Sequence, residues 1–187
     1  MEVDPIREIG KISEMKAILR TRGERDALLF TMGINTALRI SDLLSLTLGD
    51  VINDQRQIVN TVALKERKTG KMKRFPLNAS VKKAITAYIA LRPKAGLLEP
   101  LFASKRGGFL SRWQARRILK EAGASVGLEK IGTHSLRKTF GYHAYKRTGG
   151  DIGLVQKLLN HSTSGDTLRY IGIDREAMDN VYLELNL

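Results

Sequence analysis

Four side chains within residues 133–170 constrain the fold of this chain more than any other feature. His134 and Arg137 stand three positions apart, so on a helix they share one face. His161 stands nine positions before Tyr170. Around one phosphate, an arginine can act as a bidentate clamp, imidazoles can donate hydrogen bonds and a phenol can attack as a nucleophile. Spacing alone also fits a plainer interpretation, in which the histidines lie at helix ends and Tyr170 is a half-buried core aromatic.

The residues around these side chains favour the first interpretation. The letters His-Ser-Leu-Arg at 134–137, Leu-Leu-Asn-His-Ser at 158–162 and the following Tyr170 resemble the signature of the tyrosine recombinase, or phage integrase, family. That family has a His-x-x-Arg motif, a Leu-Gly-His-Ser-like box and a tyrosine further on. Asn160 stands where glycine is usual, a departure that affects a helix C-terminus rather than the chemistry.

The resemblance implies a further arginine and a lysine upstream. Arg39 matches the first phosphate-clamping arginine of a Thr-Gly-Leu-Arg-x-Ser-Glu-like box, with Ala37 in place of the glycine and Asp42 as the carboxylate that orients the site. Without the resemblance, Arg39 and Asp42 are a surface ion pair of small energetic value. The letters Lys-Thr-Gly-Lys-Met-Lys-Arg-Phe-Pro-Leu resemble the family's hairpin turn and strand end, so that Lys68 takes the role of general acid. Lys71 is the competing assignment for that role.

The resemblance implies a metal-free transesterification. Tyr170 attacks a DNA phosphodiester and forms a 3′-phosphotyrosine while a free 5′-hydroxyl departs, so resealing needs no ATP. A phenol with a pKa of about 10 is a poor nucleophile at neutral pH, and His134 is the expected base. Arg39, Arg137 and His161 stabilise charge on the non-bridging oxygens. We expect no cofactor, and three histidines without cysteine do not predict a metal site.

The charge of the chain indicates its partner. There are 32 Lys and Arg against 19 Asp and Glu, which gives a formal net charge of +13. Each basic side chain that neutralises a phosphate releases counterions, so the expected partner is double-stranded DNA, although a merely soluble basic protein has the same charge. The chain has no cysteine and no apolar run that resembles a membrane span or signal peptide. We therefore expect no membrane partner and a cytoplasmic location, at the nucleoid.

Two basic surfaces are predicted to contact DNA, although both could simply be solvated charge. One is a hairpin with six basic residues and one acid between positions 65 and 74. The other is a helix that follows Ser111, in which basic residues recur at i, i+4 and i+8 on a face that fits the major groove. The predicted contacts are Lys65, Arg67, Lys71, Lys73 and Arg74 on the hairpin and Arg112, Arg116 and Lys120 on the helix.

The remaining pattern predicts an α+β fold that is mostly helical, the tyrosine recombinase catalytic fold with a small antiparallel β-sheet at one edge. A strand is predicted over residues 57–64 because β-branched residues concentrate there, and residues 71–77 are predicted as its partner across a Thr-Gly turn. Helical spacing predicts helices from residue 12 to Gly23, from residue 24, from Asn78 or Ser80 to about residue 91, and from Ser111. Asp166 is the predicted cap of the helix that carries Tyr170.

We expect one catalytic domain over residues 1–187, with residues 1–10 as a flexible lead-in and 171–187 as a C-terminal tail helix. The separate N-terminal core-binding domain found in most members of the family is absent from this sequence. A tail like this one often docks on a neighbouring protomer in the family, although packing on its own domain is the simpler alternative. The resemblance therefore implies assembly on DNA as a dimer or tetramer through the tail.

Two other functions share many of these features. A type IB topoisomerase uses a similar residue set to relax supercoils, but such enzymes usually depart from the Leu-Leu-x-His-Ser box found here. A non-catalytic DNA-binding protein would explain the charge, and it would tolerate the loss of a catalytic residue. No such loss is visible in the sequence.

Overall fold

A computed structural model describes residues 3–173, 179 and 181–185 of the chain. A single 3-10 turn lies at Leu48–Asp50. The remaining elements are α1 (Ile9–Arg22), α2 (Glu24–Thr36), α3 (Ile40–Leu43), β1 (Thr61–Lys65), β2 (Met72–Pro76), α4 (Ala79–Ala90), α5 (Arg112–Ser125), α6 (Thr133–Arg147), α7 (Ile152–Leu159) and α8 (Ser164–Ile171). The prediction of a mostly helical α+β fold with a small antiparallel sheet is confirmed. None of the helices in these described stretches has the length and apolar character needed to cross a membrane.

Helix α2 is the centre of the core and packs against α1, α4 and α6. Its Leu28, Leu29, Phe30 and Met32 are fully buried. Gly33 lies against the side chain of Leu136 on α6, where even a methyl group at position 33 would collide with it. The absence of a side chain there lets α6, which carries His134 and Arg137, lie directly on the central helix.

The two strands form one antiparallel hairpin, with Thr61 opposite Pro76 and Lys65 opposite Met72. Val62 and its cross-strand partner Phe75 are buried, so one face of the hairpin packs on the core and the other faces solvent. Both strands are shorter than predicted. Residue 58 forms only an isolated bridge with Ile52, because the chain bends before it joins the ladder.

The described part of the N-terminal lead-in is docked, so the prediction of flexibility over residues 1–10 is wrong for residues 3–8. Ile6 is 1% exposed, and its backbone N–H donates to Oγ1 of Thr139 on α6 at 2.8 Å. The Ile6 carbonyl accepts a hydrogen bond from Nε2 of His143, one turn further along α6, at 2.9 Å. These contacts come from residues more than a hundred positions away, which a local pattern cannot show.

Most predicted helix starts agree with the structure. Asn78, one of the two predicted caps of α4, accepts from the Val81 N–H, and Ser111 accepts from the Gln114 N–H at the start of α5. Gly23 ends α1 as predicted.

Helix α8, which carries Tyr170, begins three residues earlier than predicted. Thr163 is its cap and accepts a hydrogen bond from the backbone N–H of Asp166, so the prediction of Asp166 as the cap is wrong. The helix ends at Gly172, which has a left-handed backbone conformation. The carbonyl of Gly172 accepts a hydrogen bond from Nη2 of Arg7 at 2.9 Å, so the N-terminal segment also holds the end of this helix.

The predicted tail over residues 171–187 does not simply extend α8, since that helix stops at Ile171. Residues 174–178, 180, 186 and 187 lie outside the described residues. Among the described tail residues, Val181, Tyr182, Leu183 and Leu185 are all more than half exposed.

Candidate active site

An open cleft of about 670 Å³ brings the predicted catalytic side chains together. They reach it from the loop before α3, from the hairpin turn, from α6, from the end of α7 and from α8. The six predicted side chains that line the cleft are Arg39, Lys68, His134, Arg137, His161 and Tyr170. The competing lysine of the hairpin, Lys71, lines a different groove behind the hairpin.

Arg137 is held between two backbone carbonyls. It is 4% exposed, and its Nη1 donates to the carbonyl of Ala37 at 2.5 Å while its Nη2 donates to the carbonyl of Leu159. Ala37 ends α2 with a φ of 55°, a left-handed conformation that explains why the related box usually has glycine there. Burial lowers the pKa of Arg137 from its ordinary value, but a guanidinium remains charged at neutral pH. The two bonds fix the plane of this cation before any phosphate binds.

Arg39 pairs with Glu66, and not with Asp42 as the helical spacing allowed. Its Nη1 lies 2.8 Å from Oε1 of Glu66, a carboxylate that is 1% exposed. Asp42 is fully buried, and its Oδ1 accepts a hydrogen bond from the backbone N–H of Arg67 at 3.0 Å. Asp42 therefore holds the beginning of the hairpin turn, whereas Glu66 contacts the predicted phosphate clamp.

The rings of His161 and Tyr170 meet edge to face, with centroids 4.9 Å apart. Nδ1 of His161 lies 3.2 Å from Oγ1 of Thr167, which itself donates to the carbonyl of Thr163. The threonine hydroxyl must then accept from the imidazole, so the histidine presents Nε2 to the cleft.

Electrostatics around the phenol favour a protonated tyrosine and neutral imidazoles. Burial raises the pKa of Tyr170, and the positive charges of Arg137 and Arg39 act against that rise. Burial together with the charges of Arg137 and Lys138 lowers the pKa of His134, and burial with the charges of the two arginines lowers the pKa of His161. A neutral His134 can accept a proton, which is what a phenol of raised pKa requires before it can attack.

Sequence reasoning missed three residues of the site. Lys138 is 8% exposed, and its Nζ lies 5.5 Å from the centroid of the Tyr170 ring, within the range of a cation–π interaction. Glu66 and Asn160 are joined by a hydrogen bond of 3.0 Å. Each had a visible signal: Lys138 directly follows Arg137, Glu66 is the one acid among six bases, and Asn160 replaces a usual glycine.

The predicted DNA contacts on the hairpin fall into two groups. Lys73 is partly buried, and its Nζ donates to the carbonyls of Ala37 at 3.2 Å and Leu158 at 3.1 Å. Burial lowers the pKa of Lys73 to about 8, with a smaller contribution from the charge of Arg137. This lysine supports the same loop as Arg137 and is not placed on the solvent-facing edge. The other four predicted contacts on the hairpin are exposed, and they are Lys65, Arg67, Lys71 and Arg74.

The basic face of α5 lies beside the cleft. Its predicted contacts Arg112, Arg116 and Lys120 are all exposed. Arg116 also borders a depression of about 400 Å³ that shares His134 and Tyr170 with the cleft. Positive charge thus extends from α5 to the predicted nucleophile. Within the described residues, no group of three or more His, Asp or Glu side chains could hold a metal ion.

Comparison with known proteins identifies relatives of this chain. A sequence model described as the phage integrase family matches residues 4–176. The "Probable integrase/recombinase YoeC" of Bacillus subtilis (strain 168) is 46% identical over 181 residues, which cover 96% of this chain and 95% of that protein. The tyrosine recombinase XerC of Thermodesulfovibrio yellowstonii is 33% identical over 168 residues, which cover 85% of this chain and 54% of XerC.

Solved structures show the same fold. The crystal structure of the XerH site-specific recombinase bound to its difH substrate, a pre-cleavage complex, matches 97% of this chain and 55% of that chain with a TM-score of 0.71 and 20% identity. This chain therefore spans nearly all of YoeC but about half the length of the Xer recombinases.

Proposed function

Because this chain belongs to the phage integrase family, we propose that it is a site-specific DNA recombinase that cuts and rejoins DNA strands through a 3′-phosphotyrosine on Tyr170. The observation that carries the proposal is the convergence of six side chains in one cleft from separate parts of the chain. A protein that only bound DNA would have no need for a half-buried phenol beside an imidazole and two arginines.

The proposed cleavage step uses the side chains of the cleft as follows. Oη of Tyr170 forms a bond to the phosphorus as the bond from phosphorus to O5′ breaks, and the phenolic proton passes to His134. Lys68 donates a proton to the departing O5′, which leaves as a hydroxyl. Arg39, Arg137 and the protonated form of His161, which the bound phosphate favours, donate hydrogen bonds to the non-bridging oxygens and stabilise their charge in the transition state. Attack by a 5′-hydroxyl of another strand on the phosphotyrosine reverses these steps and restores Tyr170.

The proposed substrate is double-stranded DNA. Arg67 adjoins Lys68 of the cleft, and Arg116 of α5 borders the depression that shares His134 and Tyr170 with the cleft. The exposed cations of the hairpin and of α5 can therefore neutralise phosphates along one duplex. The XerH relative was solved with a DNA substrate. Binding to chromosomal DNA would bring the chain to the nucleoid.

The proposed assembly on DNA is a dimer or tetramer that forms through the tail. Four apolar side chains of the tail are exposed in the single chain, and burying them on a neighbour would remove that apolar surface from water. The tail follows the helix of Tyr170 closely, so such docking would link the position of the nucleophile to assembly.

A nicked suicide substrate tests the proposed reaction, because cleavage next to the nick releases a short fragment and traps the covalent adduct. We expect the natural chain to form a protein–DNA adduct that resists denaturation, and Tyr170→Phe to form none while its DNA affinity stays within a few-fold. Recombinant strands in the same gel distinguish a recombinase from a topoisomerase, which would only relax supercoils. An adduct that persists in Tyr170→Phe would place the nucleophile elsewhere, with Tyr142, Tyr145 and Tyr182 as the candidates.

A further inference from the structure

Glu66 lies where three segments of the site meet. Its Oε1 accepts a hydrogen bond from Nη1 of Arg39 at 2.8 Å, and its Oε2 accepts from Oγ1 of Thr69 at 2.7 Å and from Nδ2 of Asn160 at 3.0 Å. The carboxylate is 1% exposed. Both of its oxygens are thus used inside the protein.

Each partner of Glu66 belongs to a segment that supplies one predicted catalytic side chain. Arg39 is itself the first phosphate clamp, Thr69 adjoins Lys68 in the hairpin turn, and Asn160 precedes His161. The hairpin turn is otherwise exposed from residue 67 to residue 71. An exposed turn that carries a long flexible lysine has many conformations of similar energy, so a bond that fixes its direction restricts where the amine can go.

Asn160 connects the segment of His161 to Glu66. It ends α7 with a φ of 51°, a left-handed conformation that glycine adopts most easily and that asparagine also tolerates. A glycine at this position could end the helix equally well, but it would have no side chain to reach Glu66. The Glu66 contact gives the asparagine in this chain a function besides ending the helix.

The charge of Glu66 is consistent with this arrangement. Burial acts to raise the pKa of the carboxyl group, but the hydrogen bonds from Thr69, Asn160 and Arg39 outweigh burial and lower it. A buried carboxylate with three donors is stable as an anion, whereas removal of the carboxylate leaves these donors without their acceptor.

From these contacts we propose that Glu66 is a positioning residue that holds the turn of Lys68 in register with Arg39 and with the segment of His161. The proposal rests on the proposed recombinase function. Glu66 does not touch DNA; it acts by placing the proton donor and the phosphate clamp relative to one another. Displacement of a catalytic group by about 1 Å can slow a reaction by about 100-fold, which is the size of effect expected here.

The test compares cleavage of two suicide substrates. One is ordinary DNA, and the other carries a 5′-bridging phosphorothiolate, whose sulfur leaves as a thiolate and needs no proton. If Glu66 places Lys68, Glu66→Ala should slow adduct formation on ordinary DNA by about 100-fold. The ratio of the rate on the sulfur substrate to the rate on ordinary DNA should rise at least about tenfold above the ratio for the natural chain, since the sulfur substrate bypasses the acid.

Two further variants keep the test informative if Glu66→Ala folds poorly. Thr69→Val removes only the hydroxyl on the turn and keeps the branched shape, and it should raise the same ratio. Asn160→Gly restores the glycine usual in related boxes and removes only the hydrogen bond from Nδ2 of Asn160 to Glu66. The ratio of the rate on the sulfur substrate to the rate on ordinary DNA should therefore be no higher in this variant than in Thr69→Val. Glu99→Ala is the matched control, because Glu99 pairs with Arg92 at 2.8 Å on the surface, away from the cleft.

The outcomes separate this proposal from the proposed function. An unchanged rate ratio in Glu66→Ala or in Thr69→Val overturns the placement of Lys68 by Glu66, and with it the proposal, even if both substrates react more slowly because Arg39 has moved or the fold is weaker. Absence of any adduct from the natural chain on either substrate overturns the recombinase function itself. A raised ratio of the rate on the sulfur substrate to the rate on ordinary DNA in Glu66→Ala and in Thr69→Val, with an unchanged ratio in Glu99→Ala, supports the role of Glu66.

Discussion

Burial raises the pKa of the Tyr170 phenol, and this determines what its neighbours must do. A phenol that remains protonated at neutral pH cannot attack until its proton has an acceptor. The lowered pKa of His134 provides one, since a neutral imidazole at the same cleft is ready to accept. In the proposed mechanism the residues of the cleft thus divide into those that stabilise charge and two, His134 and Lys68, that move protons.

The first prediction concerns the pH dependence of cleavage. Partial burial, with the charges of Arg137 and Lys138, lowers the pKa of His134 below its ordinary value of 6.5, so the base form persists into mildly acidic solution. At limiting DNA concentration, the rate of adduct formation should stay constant from pH 7.5 to 6.5. Below the lowered pKa of His134, the rate should fall about tenfold per pH unit. The measurement is a pH series on the nicked substrate.

The control for that series is the third histidine. His143→Asn changes a side chain that does not line the cleft and whose Nε2 contacts the carbonyl of Ile6, and the variant should keep the acidic decline. His134→Asn should lose the decline and react more slowly at neutral pH by about two to four orders of magnitude. An unchanged decline in His134→Asn would assign the base to another group.

The second prediction concerns the general acid. Lys68 lines the cleft, whereas Lys71 lines the groove behind the hairpin. Lys68→Ala should therefore slow cleavage of ordinary DNA by about two to four orders of magnitude, and the sulfur substrate should restore most of the rate. Lys71→Ala is the matched comparison. If the sulfur substrate restores the rate of Lys71→Ala but not that of Lys68→Ala, Lys71 is the general acid and the alignment of the hairpin with the family is wrong by three residues.

At the scale of single residues, the sequence could predict the six cleft residues because each stands in a recognisable short motif. It could not predict Glu66 as the partner of Arg39. The two residues are 27 positions apart, and Glu66 and Asn160 are 94 positions apart, so only the folded chain brings them together. The same limit applies to Asp42: the resemblance implies that it orients the site, but the hydrogen bond that its Oδ1 accepts comes from the backbone N–H of Arg67.

At the scale of elements, close packing between α6 and α8 places the helix of the nucleophile. Gly141 on α6 faces Ile171, and a Cβ at position 141 would lie 2.6 Å from Cγ2 of Ile171 and 3.0 Å from Cδ1 of Leu159. A side chain there must push α8 or α7 outward. Since Ile171 directly follows Tyr170, such a shift would move the phenol.

The third prediction is that Gly141→Ala lowers both stability and cleavage. Alanine favours the helix by about 1 kcal/mol relative to glycine, but overpacking costs about 1 to 3 kcal/mol, so the net change should be destabilising. Thermal unfolding should show a lower Tm, and adduct formation should fall by more than DNA affinity does. Gly10→Ala on α1, where a Cβ meets no atom within 4 Å, should leave both unchanged or raise the Tm slightly.

The elements that sequence could predict are those with local signals. Capping side chains and glycines identified the starts or ends of α1, α4 and α5, and the turn residues identified the hairpin. The docked segment at residues 3–8 has no such signal, because its hydrogen bonds go to α6 and to the end of α8. Helix α8 was placed correctly in outline, but its cap was not, because Thr163 and Asp166 can both serve and only the backbone geometry decides between them.

At the scale of the whole molecule, assembly depends on the tail in the proposed mechanism. The fourth prediction is that deletion of residues 175–187 reduces strand exchange and higher-order complexes on DNA far more than binding of the first protomer. The reason is that the cations of α5 and the hairpin remain, while the exposed apolar side chains of the tail are lost. Native gels on a duplex with two sites measure both effects together.

The deletion also distinguishes the two places where the tail could pack. If the shortened chain unfolds at much lower temperature as a monomer, the tail belongs to its own domain and the assembly mechanism fails. A Tm within a few degrees of that of the full chain, together with loss of the higher-order complexes, is the expected result.

The contact between Ile6 and α6 has a consequence for how the chain is made. Ile6 and its partner Thr139 are 133 positions apart, and Arg7 and Gly172 are 165 apart. At a synthesis rate of roughly 5 to 20 residues per second, roughly 7 to 27 seconds separate the synthesis of Ile6 from that of Thr139. The segment that holds the nucleophile's helix is therefore made well before the helices on which it docks, and the cleft is complete only after Gly172 has emerged.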